Sequence, residues 1–231
     1  AFGCGQAIFC AVSLMRLVVV AMTVGLAVVE GLVHPSGTTW CERRRALADV
    51  GVLGGLALLP EVAGAAMSEV TVPFAPDVNG ESTAVATFSV PTEWTKLSDT
   101  TQSVVGGRRL VVYASPDDTD WNVFLLLTPI RGDYTSLGSF GTLDAVQDTI
   151  IPRGDGIDAQ LISSASKSST YVYEYTLAVP NQPKRHLKTI FSLVADTLVT
   201  FNVQALEDTY TPDVAKISES ILSTAIAKKT A

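Results

Sequence analysis

The stretch that decides the fold is Trp121-Asn122-Val123-Phe124-Leu125-Leu126-Leu127-Thr128. From Val123 to Leu127 every position is apolar, and Pro129 closes the run. A strand with both faces covered reads this way, which places it in the middle of a sheet. Upstream, Ser115-Pro116-Asp117-Asp118 is a turn, and Gly106-Gly107 opens a strand over Arg108 to Ala114. Further back, Ala84, Ala86, Phe88 and Val90 alternate with Val85, Thr87 and Ser89, giving a strand with one apolar face that Pro91 stops.

Downstream of Pro129, Leu143, Val146 and Ile150 recur at helical spacing. This predicts a helix over Thr142 to Ile151 with Thr142 as N-cap. Pro152-Arg153-Gly154-Asp155-Gly156 is a turn. Four strands follow: Ala159 to Ser166, Thr170 to Val179, His186 to Ala195 and Thr197 to Leu206. In the second, Tyr171, Tyr173, Tyr175, Leu177 and Val179 share one face; in the last, Val199, Phe201, Val203 and Ala205 do. A terminal helix follows, capped by Thr211 with Pro212 at its first position and Asp213 at its positive end. Its stripe is Val214, Ile217, Ile221, Leu222 and Ala225, and Lys228-Lys229 are expected to complement its negative end. The predicted order is βββαββββα. Short connections imply an antiparallel sheet with helices packed on it, an α+β fold.

The 231 residues hold 16 Lys and Arg against 23 Asp and Glu, a net charge of -7, with a pI near 4.8. That balance argues against nucleic acid as a partner. With two His and three Cys there is little material for a zinc site or a Cys-His pair. The charge is unevenly spread. Before Ser68, Glu30, Glu42, Asp49 and Glu61 cancel Arg16, Arg43, Arg44 and Arg45, so the acidity belongs to the segment from Ser68 onward. Cys4, Cys10 and Cys41 all lie in the first segment.

That first segment, residues 1–66, reads as a multipartite targeting presequence. Met15-Arg16 precedes the apolar run Leu17 to Val29, the proportions of a secretory signal. The alternative is a retained span from Ala7 to Val33 with Arg16 inside it. Arg43-Arg44-Arg45 then precede the mildly apolar Ala46 to Leu59, Pro60 and the small-x-small site Ala63-Gly64-Ala65. Basic cluster, apolar stretch, helix breaker and cleavage site in that order form a twin-arginine type signal. Two addresses in series imply two translocations. The layout resembles that of thylakoid lumen proteins in complex, multi-membrane plastids, with residues 67–231 as the working domain.

Within that domain, Pro73-Phe74 and then Phe88-Ser89-Val90-Pro91-Thr92-Glu93-Trp94 resemble the opening of the PsbP family, extrinsic lumenal proteins of photosynthetic membranes. The aspartate-rich turn before Trp121-Asn122-Val123, Ser136-Leu137-Gly138-Ser139, Tyr171-Val172-Tyr173-Glu174-Tyr175 and Arg185-His186 follow in the family's order. The resemblance covers Val72 to Ala227. It departs where Ala195-Asp196-Thr197 replaces a hairpin glycine and where Tyr210 stands for a tryptophan. It implies an α-β-α sandwich around a central antiparallel sheet and a non-catalytic role. That role is docking on the lumenal face of photosystem II beside the other extrinsic subunits and helping to retain calcium and chloride. Paralogues instead serve assembly or stability of photosystem I or related complexes.

The resemblance also points to His186 as the family histidine linked to metal binding, with Glu207 as its acid and Asp208 adjacent. One imidazole and these carboxylates are too few for a closed zinc site and support at most a weak site for calcium or another divalent ion. No tightly bound cofactor is expected. Arg108, Arg109, Lys184, Arg185 and Lys188 are the densest basic groups and the expected docking residues for an acidic partner; solvated strand ends are the plainer reading. Asp118, Asp120 and Asn122 begin like a calcium loop, but Val123 and Pro129 stand where Gly and Glu are required, so a hairpin turn is expected. Arg131-Gly132-Asp133 and Arg153-Gly154-Asp155 read as turn chemistry. Ser163 to Ser169 lack a nucleophile elbow. A ligand pocket lined by Tyr171, Tyr173 or Tyr175 would mark a small-molecule module instead.

Overall fold

The computed structural model describes residues 65–74, 84–102, 107–130, 134 and 136–230. The targeting segments and Arg131-Gly132-Asp133 lie outside the described residues. Among the described residues no helix is long and apolar enough to cross a membrane.

Ten strands and two α-helices make up the described chain. The strands are β1 (Met67–Pro73), β2 (Ala84–Pro91), β3 (Thr95–Gln102), β4 (Arg108–Ala114), β5 (Asn122–Pro129), β6 (Asp158–Lys167), β7 (Thr170–Ala178), β8 (Arg185–Val194), β9 (Thr197–Leu206) and β10 (Ile226–Lys229). Between β5 and β6 come a 3-10 turn at Leu137–Phe140 and helix α1 (Leu143–Ile150); helix α2 (Pro212–Ser223) follows β9. A seven-stranded antiparallel sheet runs β3-β4-β5-β9-β8-β7-β6, and a three-stranded one runs β1-β2-β10. The α+β class and the antiparallel pairing agree with the sequence reading. β5 has neighbours on both sides, and its residues from Asn122 to Thr128 are all buried.

Strand alternation divides the large sheet into two differently covered faces. Val123, Leu125, Val199, Phe201 and Val203 point to one, where they pack with Phe88 and Val90 of β2 and with Ile221 and Leu222 of α2. Phe201 and Phe88 meet edge to face at 5.7 Å. On the other, Tyr173, Tyr175, Leu187 and Phe191 pack with Val146 and Ile150 of α1 and Leu137 of the 3-10 turn. The first cluster thus joins the two sheets, and the second fixes α1.

Both helices start where the capping signals place them. Thr142 accepts from the Ala145 N–H and Thr211 from the Val214 N–H, with Pro212 in the first turn. The end of α2 differs from expectation. It stops at Ser223, and Lys228 and Lys229 pair with β2 as part of β10 instead of flanking the helix terminus. Thr224 closes the junction: its hydroxyl donates to Ile221 O and accepts from the Ser89 N–H at 2.8 Å. β1, β3 and β10 were not anticipated. All three are edge strands, and edges bury too little to impose an apolar alternation on their sequences.

The turn between β8 and β9 contains only Ala195 and Asp196, flanked by the pair Val194 and Thr197. Both adopt positive φ, 48° and 55°. A two-residue hairpin with both central residues left-handed suits the twist of its strands but favours glycine or asparagine. The missing hairpin glycine is therefore a real departure, accommodated with backbone strain.

Candidate functional site

The densest polar constellation lies where the ends of β7, β8 and β9 meet α2. β8 places His186 and Lys188 on the sheet face that α2 covers. Cross-strand pairing sets Glu174 of β7 opposite Lys188 and Ala205 of β9 opposite His186. Just past β9, a 3-10 turn at Glu207–Thr209 brings Glu207 and Tyr210 over the histidine.

His186 is buried, and both of its ring nitrogens are engaged. Nδ1 lies 3.0 Å from Glu207 Oε2 and Nε2 lies 3.0 Å from Glu174 Oε1. The ring stacks on Tyr210, with 3.6 Å between centroids and 8° between planes. Burial, helped by Glu174, Glu219 and Glu207, pushes the Tyr210 phenol up to about 12.

The surrounding cations are tied into the same network. Lys188 bridges Glu219 of α2 and, at 3.9 Å, Glu174. Arg185 reaches Asp120 at 2.7 Å, linking β8 to the β4–β5 turn. Ser163 donates to the second oxygen of Glu174 at 3.2 Å. Glu174, Glu207, Glu219 and Asp120 together outnumber Arg185 and Lys188, so the constellation is not a positive patch.

The structure brings only some of the expected residues together. Arg185, His186 and Lys188 share β8; Lys184 stands just before it, and its carbonyl accepts from the Glu207 N–H. Arg108 and Arg109 do not join them. Register carries Arg109 to Leu127, Val199 and then Ser192, seven residues along β8 from Arg185. At about 3.3 Å per residue that is roughly 23 Å, with three strand spacings besides. Arg109 instead holds Asp99 through two contacts, at 3.1 and 3.2 Å, and donates to Pro73 O at 2.9 Å. Lys96 adds a 2.9 Å bond to the same carboxylate. Arg109 and then Lys96 hold the Asp99 carboxyl below the usual carboxylate range. Three of the five expected docking cations are therefore engaged internally.

His186 and Glu207 are adjacent as expected, but as a hydrogen-bonded pair. Among the described residues no group of three or more His, Cys, Asp or Glu is arranged to hold a metal ion. Asp208 lies beyond Glu207 in the 3-10 turn and takes no part in the contacts of the histidine. The Asp118 region is a hairpin turn: Asp118 accepts from the Asp120 N–H, and Asn122 donates to Thr119 O and Asp120 O. Arg153 pairs with Asp148 on an exposed turn.

The tyrosine face is core and not a pocket. Tyr173 and Tyr175 are fully buried; Tyr173 donates to Leu143 O at 2.8 Å and Tyr171 to Gly141 O at 3.1 Å. These bonds pin the start of α1. Burial pushes the Tyr175 phenol up to about 12.

Sequence reasoning missed Glu174, Tyr210, Asp120 and Glu219 as partners of the basic strand. Glu174 carried a readable signal: it is an acid on the face opposite three tyrosines, facing a strand that carries Lys188.

The comparisons with known proteins agree with this architecture. The PsbP family model matches residues 82–224, more than half of the chain. The chain belongs to the PsbP family. A curated relative, PsbP domain-containing protein 3, chloroplastic, of Arabidopsis thaliana, is 25% identical across 71% of this chain and 70% of its own length. The solution structure of cyanobacterial PsbP (CyanoP) from Synechocystis sp. PCC 6803 superposes with a TM-score of 0.50 at 19% identity. It covers 77% of this chain and 98% of its own, and shows a shared PsbP fold.

Proposed function

We propose that this PsbP-family chain is a non-catalytic extrinsic protein of the thylakoid lumen. It acts by docking on photosystem II at the oxygen-evolving complex, where it supports calcium and chloride retention. The domain is the α-β-α sandwich of its family, and residues 1–66 are the itinerary that delivers it to the lumen of a complex plastid. The observation that carries the reading is the family fold combined with the state of His186. The one imidazole of the domain is held on both nitrogens by carboxylates and stacked on Tyr210, so it serves structure and not proton transfer. Docking then falls to surface fit, with Lys184 and Arg108 as the expected basic residues that carry no ion pair among the described residues, and Arg109, Arg185 and Lys188 as braces behind them.

A second reading is an assembly or stability factor that visits photosystem I or another thylakoid complex. The relative's own description, a PsbP domain-containing protein, favours it, as does the internal pairing of the cations, which leaves less free charge for permanent attachment.

Co-purification separates the two. Stoichiometric recovery with photosystem II from solubilised thylakoids supports the extrinsic subunit; recovery only with partial complexes supports the assembly factor. Recovery with no thylakoid complex refutes both. N-terminal sequencing of the recovered protein locates the mature start, expected near Ala66 or Met67.

A further inference from the structure

The large sheet ends in β3 and β6, and the small one in β1 and β10. Three of these four edges are blunted. β3 carries a register irregularity between Lys96 and Ser98, β6 one between Leu161 and Ser163, and β10 spans four residues. β1 is different: seven residues pair with β2 without a register break. Such an edge is a template for another strand.

The direction of each β1 backbone group follows from three contacts. The Thr92 N–H donates to Ala66 O, and the Phe74 N–H donates to Ala84 O. Antiparallel ladders alternate, so Ser68, Val70 and Val72 also face β2, and Met67, Glu69, Thr71 and Pro73 face outward. Arg109, reaching Pro73 O from outside, agrees with this parity. The N–H and C=O groups of Met67, Glu69 and Thr71 therefore line an edge that is unpaired among the described residues, and all three residues are exposed. Arg109 closes its far end.

Against this strand lies a cleft of about 350 Å³, lined by Ser68 to Val72, by the Val90–Trp94 stretch at the end of β2 apart from Glu93, and by Lys96, Asp99, Arg109 and Tyr113. Repeated outward N–H and C=O groups at alternate residues match one chemistry, another extended backbone. The charged and aromatic part of the lining adds selectivity. Lys96 and Arg109 share the single carboxylate of Asp99, and the Lys96 ammonium sits 6.0 Å from the Tyr113 ring centroid. A strand added here would turn alternate side chains onto two cations, one acid and an aromatic face.

We propose that the outward edge of β1 is a strand-addition site that takes an extended segment of a thylakoid partner protein, with an acidic side chain turned toward Lys96 and Arg109. The site rests on the reading of this chain as a thylakoid interaction protein and supplies that reading with a contact. It lies apart from the His186 network.

Hydrogen exchange with mass spectrometry on the protein as recovered from thylakoids, alone and bound to detergent-solubilised thylakoid complexes, tests it. Alone, the amides of Met67, Glu69 and Thr71 should exchange fast and those of Ser68, Val70 and Val72 slowly. Binding should slow the outward three by about tenfold or more. Thr71→Pro removes an outward N–H and leaves the bonds to β2 intact; it should weaken binding about tenfold, with Thr71→Ala within about twofold of wild type. Lys96→Ala should weaken it about threefold and flatten its salt dependence. Binding with the outward amides still fast overturns the strand-addition site and leaves the interaction role standing. Absence of any binding overturns both. Protection that develops in the chain alone as its concentration rises assigns the edge to a second copy and overturns the partner.

Discussion

The imidazole of His186 lies flat against the phenol ring of Tyr210, 3.6 Å from it and 8° off parallel. Tyr210 precedes the cap of α2, so the stack fastens the start of the helix to the start of β8. Tyr210→Ala should lower stability by about 1–2 kcal/mol through lost ring contact and burial. Tyr210→Trp should stay within about 0.5 kcal/mol of wild type, because an indole can take the same stack. Urea unfolding followed by circular dichroism measures both; an alanine variant as stable as wild type would show that the stack contributes nothing.

The strained hairpin offers the opposite sign. Ala195 and Asp196 hold φ of 48° and 55° without the residues such a turn prefers. Ala195→Asn together with Asp196→Gly should raise stability by about 1 kcal/mol, since the left-handed region costs an alanine roughly that much. A thermal melt shows the gain as a higher midpoint. An unchanged or lower midpoint would mean that the strands do not depend on this turn.

Gly156 predicts a loss. Its φ is +77°, and a Cβ added there would stand 2.8 Å from Pro180 Cγ. Both the backbone region and the rigid proline ring oppose a side chain, so Gly156→Ala should cost about 1–2 kcal/mol. The comparison is Gly138→Ala, where the nearest side-chain atom is 3.6 Å away and φ is ordinary; it should be nearly neutral.

Asp99 contributes to the acid limit of stability, and the buried phenols, Tyr175 and Tyr210 among them, to the alkaline one. The Asp99 carboxyl is lowered from 3.8 by its bonds to Arg109 and Lys96. Its contribution is full above that value and is lost as pH falls below it through the lowered folded value. The Tyr175 phenol is raised from 10.0 to about 12 by burial. Its contribution is full below pH 10.0 and is lost as pH rises toward about 12. Asp99→Asn should make the acid limb of a stability–pH profile shallower, and Tyr175→Phe should reduce the alkaline limb without abolishing it, because Tyr210 remains. An alkaline limb unchanged in Tyr175→Phe would assign it to other groups.

The sequence made the central strands and helix starts legible, for identifiable reasons. Val123 to Leu127, the Tyr171–Tyr175 alternation and the Thr211-Pro212 cap each express one local rule strongly. β3 expresses none: Thr95-Lys96-Leu97-Ser98-Asp99 has no apolar face because the strand is exposed on the outside of the sheet. Lys228-Lys229 misled because helix-terminal lysines and edge-strand lysines look alike in sequence. The histidine network was half legible. His186 and Glu207 stand out by residue type and order, but Asp120, Glu174 and Glu219 come from three other elements, and only the register of the sheet brings them together.

β2 is clasped by β1 on one side and β10 on the other, one strand from each end of the domain. A growing polypeptide therefore leaves the ribosome with the Ala84–Thr87 flank bare until Ile226–Lys229 has followed it out. Truncation within Ile226–Lys229 removes a seam of the architecture and not an idle tail. An affinity tag fused directly behind Lys229 would hang from that seam, so a spacer belongs between them.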